Sequence, residues 1–125
     1  MTRQVSSRAD HKAIAERVPE GARVLDVGCG NGDLLALLVE KRSVRARGLE
    51  LSGELAGTAM SRGLSVIQGD AASDLEVFPE NGFDFAILSK AIQHMRRPDM
   101  VLQELARIAP DVIVSFRNYG LWSRR

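Results

Sequence analysis

A chain of 125 residues with 45% hydrophobic and 26% charged side chains has the make-up of an ordinary globular protein, expected to form one domain over residues 1–125. Seventeen Lys and Arg against sixteen Asp and Glu leave a formal charge of +1, so bulk charge implies no polyanionic partner, and the basic ending "RNYGLWSRR" reads as a solvated end rather than a nucleic-acid surface. The single cysteine, Cys29, excludes an internal disulfide and suits a reducing compartment; with no apolar run long enough to cross a bilayer and no signal-peptide core, a cytoplasmic protein without a membrane partner is expected.

In chain order, "RADHKAIAERV" (8–18) reads as a short helix stopped by Pro19, with Ala13, Ile14, Arg17 and Val18 leaning to one side. "ARVLDV" is an unbroken apolar run with an acidic residue near its end, the pattern of a buried strand. "DLLALLVEKR" is helical, its closing Lys41 and Arg42 suited to the negative end of the helix dipole. "VRARGLEL" follows as a strand. "GELAGTAMSR" is a weaker helix that Ser52 can cap and Gly63 can stop in a left-handed conformation. "LSVIQGD" predicts a third strand and a polar segment leads to a fourth, "FDFAILS". Pro98 opens a helix in which Val101, Leu102, Leu105, Ile108 and Ala109 recur at helical spacing, and "DVIVSF" is a fifth strand. Strand alternating with helix, in short continuous apolar runs, predicts a parallel sheet covered on both faces, with ligands at the carboxyl ends of its strands.

The stretch "VLDVGCGNGDLLALL" (24–38) sits where such a ligand would lie, with Gly28, Gly30 and Gly32 at alternate positions between the first strand and its helix. A dinucleotide fingerprint, G-x-G-x-x-G, needs glycine at position 33, which holds Asp33, a carboxylate that would repel a pyrophosphate. Three other acids converge on the same strand ends. Asp26, before the loop, suits a cationic ligand or a backbone turn. Glu50, closing the second strand, can accept both hydroxyls of a ribose, and Asp70, closing the third, can accept from an adenine amino group or simply cap a turn. An ammonium, a sulfonium, a ribose and an adenine without a phosphate together describe S-adenosylmethionine.

"VLDVGCGNG", "GLELS", "VIQGDA" and "FDFAILSKAIQHM" resemble the successive motifs of class I S-adenosylmethionine-dependent methyltransferases. The Arg8-Ala9-Asp10 start, the Pro19-Glu20-Gly21 turn, "RGLSVIQGDA", "ILSKAIQHMRRPDMVLQELARI" and "VSFRNYGLW" are more narrowly similar to the methionine biosynthesis protein MetW family, nearly end to end. The resemblance implies a Rossmann-like α/β fold, a five-stranded parallel sheet in the order 3-2-1-4-5. It implies Gly28, Cys29 and Gly30 around the methionine part of S-adenosylmethionine or S-adenosylhomocysteine, Asp26 orienting the loop and the ammonium, Glu50 with Leu51 at the ribose, Asp70 with Ala71 at the adenine, and Ser89 near the sulfur. It also implies a role in methionine biosynthesis in support of a homoserine O-acyltransferase, the alternative being an active methyltransferase on a small molecule.

Arg117 stands where the family usually has proline. Relatives continue past Trp122 with a final antiparallel strand pair beside strand five; that pair is expected to be missing here, leaving strand five an exposed edge that favours a partner or a homodimer. Cys29 reads as a small residue packed in a tight loop. His94, after strand four, can serve as a general base, though an isolated histidine there is more often structural. His11 carries less, and Tyr119 and Trp122 read as packing on the core or covering a cleft. No histidine or cysteine pair has metal-ligand spacing.

Overall fold

The structure, a computed structural model, describes residues 2–89, 95–116 and 120–124, with side chains over 10–89 and 95–115. Six strands form one sheet: β1 (Arg23–Val27), β2 (Arg45–Glu50), β3 (Val66–Gln68), β4 (Phe85–Ser89), β5 (Asp111–Phe116) and β6 (Gly120–Arg124), in the order β3-β2-β1-β4-β5-β6. The first five are mutually parallel, in the expected order. Helices α1 (Thr2–Arg17), α2 (Asp33–Arg42), α3 (Gly53–Ser61), a single turn α4 (Ala71–Asp74) with a 3-10 turn after it, and α5 (Pro98–Ile108) fill the connections.

Period two in the strands assigns each side chain to a layer. Leu25 and Val27 of β1, Ala86 and Leu88 of β4, and Val112 and Val114 of β5 pack with Val101, Leu105 and Ile108 of α5. The alternate residues, Val24, Phe85, Ile87 and Ile113, pack with Ile14 and Val18 near the end of α1 and with Leu34 and Leu38 of α2. Continuous apolar strands are therefore required, because both faces are buried. Asp26 breaks the pattern on the α1–α2 face.

Several boundaries agree closely with the sequence. The second helix and fifth strand span the residues read for them, Ser52 caps α3 by accepting from the Leu55 N–H at 3.2 Å, and Gly63 has φ +83°. Other readings are corrected. Helix α1 starts at Thr2, not at residue 8, and its buried stripe is Ile14 and Ala15, continuing to Val18; Arg17 is exposed. The segment after β3, read as merely polar, holds α4 because Asp70 caps it, Oδ1 accepting from the Ala72 N–H at 2.9 Å. Strand β5 is not a bare edge: β6 pairs with it antiparallel, from Val112 opposite Arg124 to Phe116 opposite Gly120. One antiparallel strand is therefore present where none was expected, and the edges of the sheet are β3 and β6.

Candidate functional site

A cavity of 330 Å³ opens at the carboxyl ends of β1, β2 and β3. Val27 and Gly28 form one wall, Leu49, Glu50 and Leu51 the next, and Gly69 to Ala72 a third; Met95, Arg96 and Val101 close it from the approach to α5 and from that helix. The volume lies at the lower end of the range for small-molecule sites.

The glycines are first a backbone requirement. Gly28, Gly30 and Gly32 have φ of +78°, +59° and +91°, the left-handed region that costs other residues about 1–2 kcal/mol each. Five of the loop's own N–H groups are then spoken for. Gly28 and Cys29 both donate to the Leu49 carbonyl, at 2.8 and 3.2 Å; Gly30 donates to Glu50 Oε1 at 2.7 Å, Gly32 to the Cys29 carbonyl at 3.1 Å, and Asp33 to Asn31 Oδ1 at 3.1 Å. A pyrophosphate cradle needs such donors turned toward the ligand. This loop has spent these five on its own protein. The objection based on the Asp33 carboxylate is corrected: Asp33 is exposed and paired with Arg62 at 2.8 Å, so the committed donors, not that charge, disfavour a phosphate.

Glu50 holds this arrangement. Its Oε1 takes the Gly30 N–H and its Oε2 takes the Ser52 N–H at 2.9 Å, so one carboxylate ties the glycine loop to the start of α3. Each oxygen keeps a further lone pair. Asp70 is on the cavity wall but exposed, and it is also a cap: Ala72 donates to it, while its own N–H donates to Asp74 Oδ2 at 2.7 Å. Ala71 lines the cavity beside it.

Asp26 lies one residue before the wall residue Val27 and is only 1% exposed. Ser89, at the end of β4, donates to Oδ1 at 3.4 Å, and among the described residues Oδ2 has no hydrogen-bond partner. Burial pushes this carboxyl up to about 8; the Ser89 hydroxyl opposes the shift and the nearby Glu50 charge adds to it. Burial likewise pushes the Cys29 thiol up to about 12, assisted by the charges of Asp26 and Glu50. Cys29 is buried against Leu35, Ala56 and Ala59 and does not line the cavity, so it should resist a disulfide reagent at pH 8 until the chain unfolds. Fast labelling of the native protein, followed by absorbance, would show that reading to be wrong.

Of the residues read from the sequence, Gly28, Glu50, Leu51, Asp70 and Ala71 line the cavity; Asp26, Cys29, Gly30 and Ser89 do not, though Asp26 and Cys29 flank the lining pair Val27 and Gly28 in sequence. His11 lies in a separate surface groove between α1 and α2. His94, Arg117 and Tyr119 lie outside the described residues, as does the side chain of Trp122. Among the described residues no three His, Cys, Asp or Glu side chains stand together as a metal site. Sequence reading missed Met95, Arg96 and Val101, which no periodicity marks as cavity-facing. It also missed Gly48, whose role is packing: a Cβ there would meet Cys29 Sγ at 2.7 Å and Leu35 Cδ1 at 2.8 Å. Gly48→Ala is expected to cost about 2–3 kcal/mol by overpacking beneath the loop. Gly30→Ala, with nothing within 4 Å of the new Cβ, pays only the left-handed strain of about 1–2 kcal/mol. Urea unfolding of the two variants would measure the order.

Five parallel strands in the order 3-2-1-4-5, with a ligand-sized cavity at the carboxyl ends of the first three, define the class I S-adenosylmethionine-dependent methyltransferase fold. Residues 8–125 match the family described as "Methionine biosynthesis protein MetW", and the chain belongs to that family. The bifunctional methionine biosynthesis protein MetXA/MetW of Rhodopirellula baltica is 35% identical over 125 residues, a match taking in 93% of this chain and 20% of that one. Among solved structures, the [4+2]-cyclase SpnF superposes with a TM-score of 0.78 at 27% identity, over 89% of this chain and 44% of that one. A methyltransferase of Thermotoga maritima, described as S-adenosylmethionine-dependent and a possible histamine N-methyltransferase, does so with a TM-score of 0.68 at 27% identity, over 84% and 48%. The chain thus spans a fifth of the first relative and under half of each of the two structures. No helix among the described residues is long and apolar enough to cross a membrane.

Proposed function

We propose that this chain binds S-adenosylmethionine, or its demethylated product S-adenosylhomocysteine, and in a MetW-type cytoplasmic role supports a homoserine O-acyltransferase of methionine biosynthesis. The observation that carries the ligand is the pairing of a buried carboxyl, Asp26, whose Oδ2 has no partner among the described residues, with a loop that has already committed five of its N–H groups. That combination suits an ammonium and not a phosphate. Asp26 would take the ammonium. Glu50 would accept the ribose hydroxyls on its remaining lone pairs while still holding Gly30 and Ser52. Asp70 and Ala71 would flank the adenine, and Ser89 would fix the orientation of Asp26 near the sulfur. When bound, the sulfonium supplies an electrophilic methyl group; this chain's residues orient it and exclude water.

The acyltransferase role is supported by the relative that carries MetXA and MetW names on one chain. The second reading, methyl transfer to a small molecule, is favoured by the likeness to a protein described as an S-adenosylmethionine-dependent methyltransferase. Calorimetric titration with S-adenosylmethionine, S-adenosylhomocysteine and NAD tests the ligand: micromolar binding of the first two and none of NAD is expected. Adding the purified chain to a homoserine O-acyltransferase should raise its activity and give a co-eluting complex. Release of S-adenosylhomocysteine with an acceptor, without any effect on the acyltransferase, would instead favour the second reading.

A further inference from the structure

The carboxyl of Asp26 is on the α1–α2 face of β1, in register with Gly48 on β2 and Ile87 on β4, neither of which carries a charge. Among the described residues, the groups that act on it are the Ser89 hydroxyl, already donating to Oδ1, and, electrostatically, the Glu50 carboxylate of β2 and the Cys29 thiol of the glycine loop. From α2, Asp33 is exposed and turned to Arg62. From α1, Asp10 reaches Ser115 of β5, whose hydroxyl donates to Asp10 Oδ2 at 3.4 Å, and His11 stands near Asp33 in the α1–α2 groove, so this helix brings an acid and an imidazole to the same layer. Among the described residues, one oxygen of a fully buried carboxyl is left without a donor, beside a second acid, and ionising a group held that way is costly until a cation reaches it.

We propose that Asp26 makes filling of this cavity a proton-releasing event: the empty protein holds the carboxyl neutral, and it ionises when a ligand's ammonium reaches Oδ2. The proposal rests on the ligand reading above and deepens it. The proton leaves Asp26 for solvent, and the O–H bond it loses is replaced by a charge-assisted hydrogen bond from the ammonium. The site then distinguishes ligands by charge. A nucleoside with an ammonium tail draws the proton off, whereas the same nucleoside without one leaves Asp26 neutral. Affinity for the ammonium form rises with pH as long as Asp26 in the empty protein is still protonated, which favours ligand-loaded protein at the alkaline side of neutrality.

Titrating the purified chain with S-adenosylhomocysteine in phosphate and in Tris, whose ionisation heats differ, measures the protons exchanged. With the carboxyl near 8 in the empty protein, about 0.9 proton should be released per ligand at pH 7, and affinity should tighten about ninefold between pH 6 and pH 7. The ammonium-free analogue 5′-methylthioadenosine should release none. Asp26→Asn, the same size and incapable of ionising, should bind S-adenosylhomocysteine with no proton release and no pH slope. The wild-type measurement stands without the variant if the variant does not fold. Binding of S-adenosylhomocysteine with buffer-independent heat and flat affinity overturns the proton coupling and leaves the ligand reading intact. Undiminished release in Asp26→Asn also overturns it, by placing the proton elsewhere. Failure of S-adenosylhomocysteine to bind at all removes the ligand reading, and the proposal with it.

Discussion

Glu50→Ala is expected to weaken S-adenosylhomocysteine binding by roughly 100- to 10,000-fold, the largest loss of any single substitution in the cavity wall. In the proposed complex the carboxylate makes two hydrogen bonds to the ribose, and bonds to a charged group contribute about 1.5–3 kcal/mol each. The same side chain fixes the glycine loop through the Gly30 N–H at 2.7 Å and the start of α3 through the Ser52 N–H at 2.9 Å, and both donors lose their acceptor when it is truncated. The conservative variant separates these roles. Glu50→Gln keeps one carbonyl oxygen and turns the other position into a donor, so it should lose about 10- to 150-fold, corresponding to one charge-assisted bond. Calorimetry reads the affinity, and urea unfolding without ligand reads the loop. An affinity change of less than threefold in Glu50→Ala would show that the carboxylate serves the loop alone.

Strands β1, β4 and β5 were legible because they are short, largely apolar runs buried on both faces, as Val24, Leu25 and Val27 of β1 show. The acids at the strand ends were legible for the converse reason: a carboxylate at the end of a buried strand needs explanation. Their hydrogen bonds were not. That Glu50 holds the backbone N–H of Gly30, and that Asp70 caps α4, depends on how the loops fold back, which no residue spacing encodes. Asp33 shows the same limit, since its partner Arg62 is 29 residues away in sequence and only the packing of α3 against the loop brings them together. Strand β6 escaped because five residues, "GLWSR", carry too little alternation to separate a strand from a tail, and its pairing with β5 is what defines it.

Asp26→Asn should make the empty protein more stable at pH 8 and leave it unchanged near pH 4. The sign follows from where the proton sits. In the unfolded chain the carboxyl titrates near 3.8; in the folded chain burial holds it protonated until about 8. Between those values the folded state binds more protons than the unfolded one, so the contribution of Asp26 to stability falls as pH rises through that window and is level above it. With water penetration and relaxation discounting the full shift, the penalty at pH 8 is on the order of 3 kcal/mol, or roughly 10 °C in Tm for a chain of this size. Asparagine carries no charge to desolvate, so thermal melts of the two proteins should diverge steadily from pH 4 to pH 8. Parallel curves would mean that Asp26 ionises in the empty protein at no cost. Saturating S-adenosylhomocysteine should close the gap from the wild-type side, because a ligand that binds only the folded state stabilises it and in this case also supplies the missing counter-charge. A carboxylate that weakens the empty fold and is compensated when the cavity fills fits a residue placed for its ligand rather than for the core.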